Sequence, residues 1–174
     1  MRLLRLASLV LPLLVAAPAF AQMTTTGRAG GIGLGAEAFV ATSPAGPISA
    51  AAFVYDRPAW HIAALVGMQS AGDTDLFVAG RFFYHLHQGQ MSDFSVGGGL
   101  GILSLGDDAG PGDNDRTDII LEGAAQLRAF ITPNVAIGAS LGLDFVIVDE
   151  DNGDDYLVLG GQVMSTAGIW YFFQ

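Results

Sequence analysis

Five charged residues lie deep inside apolar, glycine-rich stretches: Glu37, Arg81, Glu122, Arg128 and Asp144. Three carboxylates and two guanidiniums can form an ion-pair network, hold a cation or line a polar path. Counting back from the turn Thr132-Pro133-Asn134, with Ile131 and Val135 closing it, puts residue numbers that sum to 266 opposite one another. Glu122 then faces Asp144. Like charges directly opposed destabilise a sheet, so a cation must stand between them or one must hold a proton. Arg81 is the best candidate for that cation. Arg128 is six residues further along the strand, roughly 20 Å at strand rise, and is expected to be out of reach. The functional reading of this set is a gated polar pore or ion site. The structural reading is a salt-bridge plug.

Three other groupings could carry chemistry. His85-x-His87 puts two imidazoles on one face of a strand, and His61 is expected near the same rim. A metal site needs at least a third ligand, and none is local in sequence. Ser92, Asp93 and His87 are the one nucleophilic triad that can be written cheaply, but triad members must touch, and nothing in the sequence shows that these do. The acidic stretches carry Asp107, Asp108, Asp113, Asp115 and Asp118, then Asp149, Glu150, Asp151, Asp154 and Asp155. Asp149, Asp151, Asp154 and Asp155 are weak candidates for Ca²⁺ or Mg²⁺, since their spacing lacks the D-x-D-x-D-G pattern of a dedicated loop. Their default reading is a solvated acidic loop. Gly31-x-Gly33-x-Gly35 and Gly97-Gly98-Gly99-x-Gly101 precede no helix, so neither reads as a phosphate loop. No cofactor and no catalytic residue is assigned.

Composition limits what these groups can belong to. The chain has 174 residues, no cysteine, 24 glycines, 51% hydrophobic residues and a formal charge of −10. Disulfides and thiol chemistry are excluded, and a basic nucleic-acid footprint is absent. Arg2 and Arg5, an apolar run from Leu6 to about Ala17, and Ala19-Phe20-Ala21 read as a secretory signal peptide over residues 1–21. Residues 22–174 then form one domain with five arginines, no lysine and all 17 acidic residues. That domain contains no continuous apolar run long enough for a spanning helix. Apolar character without such a run is what alternating barrel strands give.

The elements follow from that alternation. Eight segments of about 9–14 residues match a tilted membrane-spanning strand. They are 29–41, 48–55, 59–69, 76–87, 94–105, 119–131, 135–148 and a long last one, 156–173, bent at Gly160-Gly161. Ile32, Leu34, Trp60, Ile62, Val78, Phe82, Leu121 and Leu141 fall on the lipid parity. All five charges named first fall on the other. His85 and His87 are expected to point inward together. From a periplasmic start the connections alternate between short turns (Asp56–Pro58, Thr132–Asn134) and longer outer loops. The connection Gln88–Asp93 is the poorest fit, being long for a periplasmic turn. A soluble barrel would reverse the faces, with apolar residues inside.

The last stretch, Thr166-Ala167-Gly168-Ile169-Trp170-Tyr171-Phe172-Phe173-Gln174, is uncharged and aromatic, and reads as a strand. It resembles the C-terminal assembly signal of bacterial outer-membrane barrels, with Thr166, Gly168, Tyr171 and Phe173 in the motif places; Gln174 after the final aromatic is a departure. With the signal peptide and the strand pattern, the chain resembles the small OmpA/OmpX-like eight-stranded barrels. The resemblance implies an all-β, eight-stranded antiparallel up-and-down transmembrane β-barrel in the outer membrane of a Gram-negative bacterium. It implies recognition by the barrel-assembly machinery and contact with outer-membrane lipids and lipopolysaccharide, with weak divalent-cation bridging at the outer loops as the alternative to plain solvation. A non-enzymatic structural or surface role with a plugged lumen is expected first. A narrow pore for ions or small solutes comes second, and a lipid-modifying enzyme last.

Overall fold

The structure is a computed structural model. It describes residues 30–39, 49–70, 74–106, 116–149, 155–159 and 165–173. The signal-peptide reading of residues 1–21 lies outside them.

The described chain is all strand and turn. The strands are β1 (Gly31–Phe39), β2 (Ser49–Asp56), β3 (Trp60–Ser70), β4 (Thr74–Gln88), β5 (Ser92–Leu105), β6 (Arg116–Thr132), β7 (Val135–Asp149), β8 (Tyr156–Leu159) and β9 (Thr166–Phe172). Each of β1 to β7 pairs antiparallel with the next. β8 and β9 both pair with the remaining edge of β7, and β9 also pairs with β1. Together β8 and β9 make the eighth stave of a closed eight-stranded antiparallel barrel. Closure pairs both edges of β1 to β7 and of β9, reducing the exposed edge that open sheets must otherwise manage, while β8 is paired with β7.

Alternation decides which side chains face which way. Inward positions are buried and outward positions exposed along almost every strand. The outward set includes Leu34, Phe53, Val66, Met68, Phe82, Leu100, Leu127, Leu141 and Ile169, all large, apolar and exposed. Short of the strand ends, no described outward position bears Asp, Glu, Lys or Arg; Asp149, the last residue of β7, shares the outward parity of Phe145 and Ile147. The inward set holds buried Glu37, Asp56, Arg81, Asp93, Asp118, Glu122, Arg128 and Asp144. A soluble barrel has the opposite arrangement.

The interior is filled in layers. At the turn end, Phe130, Phe172 and Ala136 form an apolar cap. The turn end is defined by the short connections 57–59, 89–91 and 133–134. Towards the opposite, loop end, Phe39, Phe77, Leu65, Leu103, Ile120 and Val146 form a second apolar layer, and Phe39 meets Phe77 edge to face. Of the charges on β6, Arg128 and Glu122 lie between, in the order Phe130, Arg128, Glu122, Ile120, and Asp118 lies beyond Ile120. Small residues make the room. A Cβ on Gly142 would lie 2.9 Å from Glu122 Oε1, and one on Gly168 2.7 Å from Glu37 Cγ.

Three strands, β4, β5 and β6, run longer than the apolar alternation alone indicates. β4 begins at Thr74, β5 at Ser92 and β6 at Arg116. The connection after β4 therefore shrinks to 89–91, which removes the poor fit of Gln88–Asp93. Asp118, expected in a loop, is a buried lumen residue of β6. Polar residues at a barrel's ends face the lumen, so polarity there does not mark a loop. Three further points differ from expectation. The turn after β6 is closed by Thr132 and Val135, with Ile131 the extra residue of a bulge. A second bulge between His85 and His87 inverts the parity of β4 beyond it. The last stave is two segments: β8 pairs with β7 at residue numbers summing to 302 and β9 at 306. That side thus carries four more residues than β7 needs between them. The expected bend at Gly160-Gly161 lies outside the described residues.

Candidate functional site

The interior charges form two clusters. The one nearer the loop end is built on a single row of cross-strand neighbours. Arg81 pairs with Gly99, Gly99 with Glu122, and Glu122 with Asp144. Because Gly99 has no side chain, Arg81 reaches over it, and its Nε lies 3.0 Å from Glu122 Oε2. Its Nη1 donates to Glu37 Oε2 at 3.0 Å and to Thr166 Oγ1 at 3.2 Å. Thr166 Oγ1 donates in turn to Glu37 Oε2 at 2.5 Å, and Trp170 Nε1 donates to Glu37 Oε1 at 3.1 Å. Ser140 Oγ lies 3.2 Å from Thr166 Oγ1 and accepts the Thr166 backbone N–H at 3.2 Å. One guanidinium thus serves a region with three buried carboxylates, Glu37, Glu122 and Asp144. Such a pair in the interior needs hydrogen bonds to the remaining oxygens to offset desolvation. Glu37 has them from β4 and β9 together.

The second cluster, nearer the turn end, centres on Arg128. Asp93 is its direct cross-strand neighbour on β5. Arg128 Nε donates to Asp93 Oδ1 at 3.1 Å and Oδ2 at 3.2 Å, and Nη2 lies 3.0 Å from Asp93 Oδ2. The same Nη2 lies 3.1 Å from Asp56 Oδ2 and 3.1 Å from His85 Nε2. Ser95 Oγ donates to Asp93 Oδ1 at 3.3 Å. His61 Nδ1 is 2.8 Å from His85 Nε2, and His85 Nε2 is 3.7 Å from Asp56 Oδ1. His85 Nδ1 points to Pro58 O at 3.3 Å and touches the Gln88 side-chain amide. His61 stacks on Phe83 with ring centroids 5.0 Å apart.

The residues singled out from sequence are distributed as follows. Glu37, Arg81, Glu122 and Asp144 come together, with Arg81 bonded to Glu37 and Glu122. Arg128 belongs to the other cluster. His61 and His85 meet, but His87 is turned outward by the bulge and is exposed. The written triad does not form: Asp93 is held by Arg128, while His87 lies on the other face. Asp56 and Asp93 stand in turns by their sequence neighbours, but both are buried members of the second cluster. Of the loop acids, Asp107, Asp108, Asp113, Asp115, Glu150, Asp151 and Asp154 lie outside the described residues. Asp149 ends β7, and exposed Asp155 accepts the Val148 N–H at 3.3 Å. In the terminal strand Thr166 faces the lumen network, Gly168 lies beside Glu37, and Tyr171 and Phe173 face outward.

No family model, no curated protein and no solved structure matches this chain. The site must therefore be read on its own geometry. Among the described residues, the ion-pair network lies between buried apolar side chains. An eight-stranded barrel's interior is just wide enough for its own side chains to fill. Among the described residues, Asp56, His61 and His85 form the one group whose donor atoms all lie within 4.8 Å of one another and could hold a metal ion.

Proposed function

We propose that this chain is an outer-membrane β-barrel of the small eight-stranded type, exported by a signal peptide over residues 1–21. Its lumen is closed by its own side chains. Its role lies in envelope integrity or in contacts made at the acidic loop end, with lipids and lipopolysaccharide as its surroundings. The observation that carries this reading is the distribution of charge. Among the described residues, the outward positions short of the strand ends bear no Asp, Glu, Lys or Arg, while eight acidic or arginine side chains are buried inside. Water would reward the reverse, whereas hydrocarbon penalises every outward charge. The test is boiled against unboiled gel mobility of the protein in isolated outer membranes. A heat-dependent shift in that fraction supports the reading, and recovery of the chain in the soluble periplasm overturns it.

A narrow pore is the second reading, favoured by three carboxylates gathered around Arg81. In that reading Glu37, Glu122 and Asp144 line a cation path that opens when the Arg81 contacts part. Planar-bilayer conductance distinguishes the two: a silent bilayer supports the plug, and a cation-selective current that falls in Glu122→Gln supports the pore. A lipid-modifying activity has the least support, since His87, Ser92 and Asp93 are not assembled.

A further inference from the structure

We infer that Asp56, His61 and His85 form a binding site for one borderline divalent transition-metal cation, of which Zn²⁺ is the type. The three side chains come from three consecutive strands. Asp56 on β2 is the direct cross-strand partner of His61 on β3. His85 lies diagonally beyond, two residues along β4 from Phe83, the partner of His61. All three are buried, and their donor atoms lie within 4.8 Å of one another.

The distances suit a small ion. Tetrahedral Zn²⁺ with ligand bonds near 2.0–2.1 Å places its donors about 3.3 Å apart. The observed separations, 2.8 Å for His61 Nδ1 to His85 Nε2 and 3.7 Å for His85 Nε2 to Asp56 Oδ1, bracket that value. Adjustments of about half an ångström bring these two pairs to it, and the third pair, Asp56 with His61, lies within 4.8 Å. The donor set, two imidazole nitrogens and one carboxylate, selects Zn²⁺ and its neighbours over Ca²⁺ and Mg²⁺, which take oxygen cages.

The outer contacts also fit. A metal-bound histidine usually donates its other ring N–H to a carbonyl or carboxylate, which fixes the tautomer. His85 Nδ1 faces Pro58 O, leaving Nε2 directed at His61 and Asp56. Arg128 is the competitor. Its Nη2 now lies 3.1 Å from both Asp56 Oδ2 and His85 Nε2, in the place of a cation. Its Nε and Nη2 bonds to Asp93 let it remain paired while it gives up His85. With neutral imidazoles the cluster carries two carboxylates and one guanidinium, so it is anionic before the metal arrives. Binding moves the proton held between His61 and His85 to the other nitrogen of a neutral ring, and into solvent from a charged one. Half-exposed Gln88, which touches His85, lies on the way to the turn end and marks the route of entry.

The site rests on the lumen geometry and not on the membrane reading. The test uses the full chain, purified untagged in detergent and stripped with chelator, then titrated with ZnCl₂ by calorimetry. One Zn²⁺ per chain is expected. Binding should weaken at least tenfold in Asp56→Asn and in His85→Gln, and stay unchanged in His87→Gln. Absence of one-per-chain binding, or equal affinity in the first two variants, overturns the site. Should those variants fail to fold, Co²⁺ loaded on the native chain decides. An intense four- or five-coordinate visible spectrum supports imidazole ligation. A weak octahedral spectrum, as from oxygen ligands of the acidic loops, overturns it. A heat-modifiable membrane barrel that binds no Zn²⁺ removes this site alone. A soluble barrel that binds it removes the membrane reading alone.

Discussion

Trp170 donates its indole N–H to Glu37 Oε1 at 3.1 Å, across the seam where the last strand meets the first. Closure of the ring is thus accompanied by the satisfaction of a buried carboxylate. Thr166, four residues earlier on the same strand, bonds the other oxygen of that carboxylate. The terminal strand closes the ladder and also completes the polar interior.

Trp170→Phe keeps most of the apolar bulk and removes the donor. A hydrogen bond to a charged group contributes about 1.5–3 kcal/mol, so urea unfolding of the detergent-folded chain should show a loss of that order. Tyr171→Phe, on the outward face of the next position, should change stability by no more than about 0.5 kcal/mol. Equal losses in the two would mean that the seam bond contributes nothing specific.

Arg81 lies within 3.0 Å of Glu37 and of Glu122, so Arg81→Gln leaves two buried carboxylates without their cation. Removing one partner of a buried pair costs about 3–5 kcal/mol. A second substitution, Glu122→Gln, should restore part of that loss, because neighbours in one network couple by about 0.5–3 kcal/mol. Additive losses in the double variant would show that Arg81 and Glu122 do not interact, whatever their separation.

The exterior offers a test that depends on the solvent around it. Leu141 faces outward near the middle of β7 and is 62% exposed. If hydrocarbon surrounds it, Leu141→Arg should cost about 2–4 kcal/mol in lipid vesicles. If water does, the change should stay within about 0.5 kcal/mol. Stability in vesicles against urea reads the difference directly.

How much of this was legible in sequence depends on how far parity can be counted. The eight staves and the Glu122–Asp144 opposition follow from period-two alternation and one tight turn. The register sum of 266 holds although Thr132, not Ile131, closes that turn, because the bulge residue lies between the closing pair and the first regular pair, Phe130 and Ala136. The second cluster was not legible. Asp56 and Asp93 stand beside Pro58 and Gly89, where acidic residues ordinarily mark turns. Their inward direction appears only once the strand ends are known. His87 was placed inward because counting from His85 assumes no extra residue, and the bulge at Leu86 supplies one. Arg81 reaching Glu122 was foreseeable as a charge match. That Gly99 is the gap it crosses could not be seen without the register between β4, β5 and β6.

Gly168 occupies the glycine place of the terminal motif, and the structure gives it a packing reason independent of any assembly machinery. A Cβ there would lie 2.7 Å from Glu37 Cγ, 2.9 Å from Trp170 Cζ2 and 3.0 Å from Ala36 O. The last of these is backbone, held in the ladder between β1 and β9, and cannot swing aside. Gly168→Ala should therefore overpack the seam, at about 1–3 kcal/mol, and should disturb the Trp170–Glu37 bond with it. The measurement is refolding of purified, urea-unfolded chain into detergent, where no assembly factor is present. A loss of stability there, with Trp170 fluorescence altered, assigns the glycine to packing. Native stability and fluorescence in detergent, with loss of assembly only in cells, would assign it to recognition by the machinery instead.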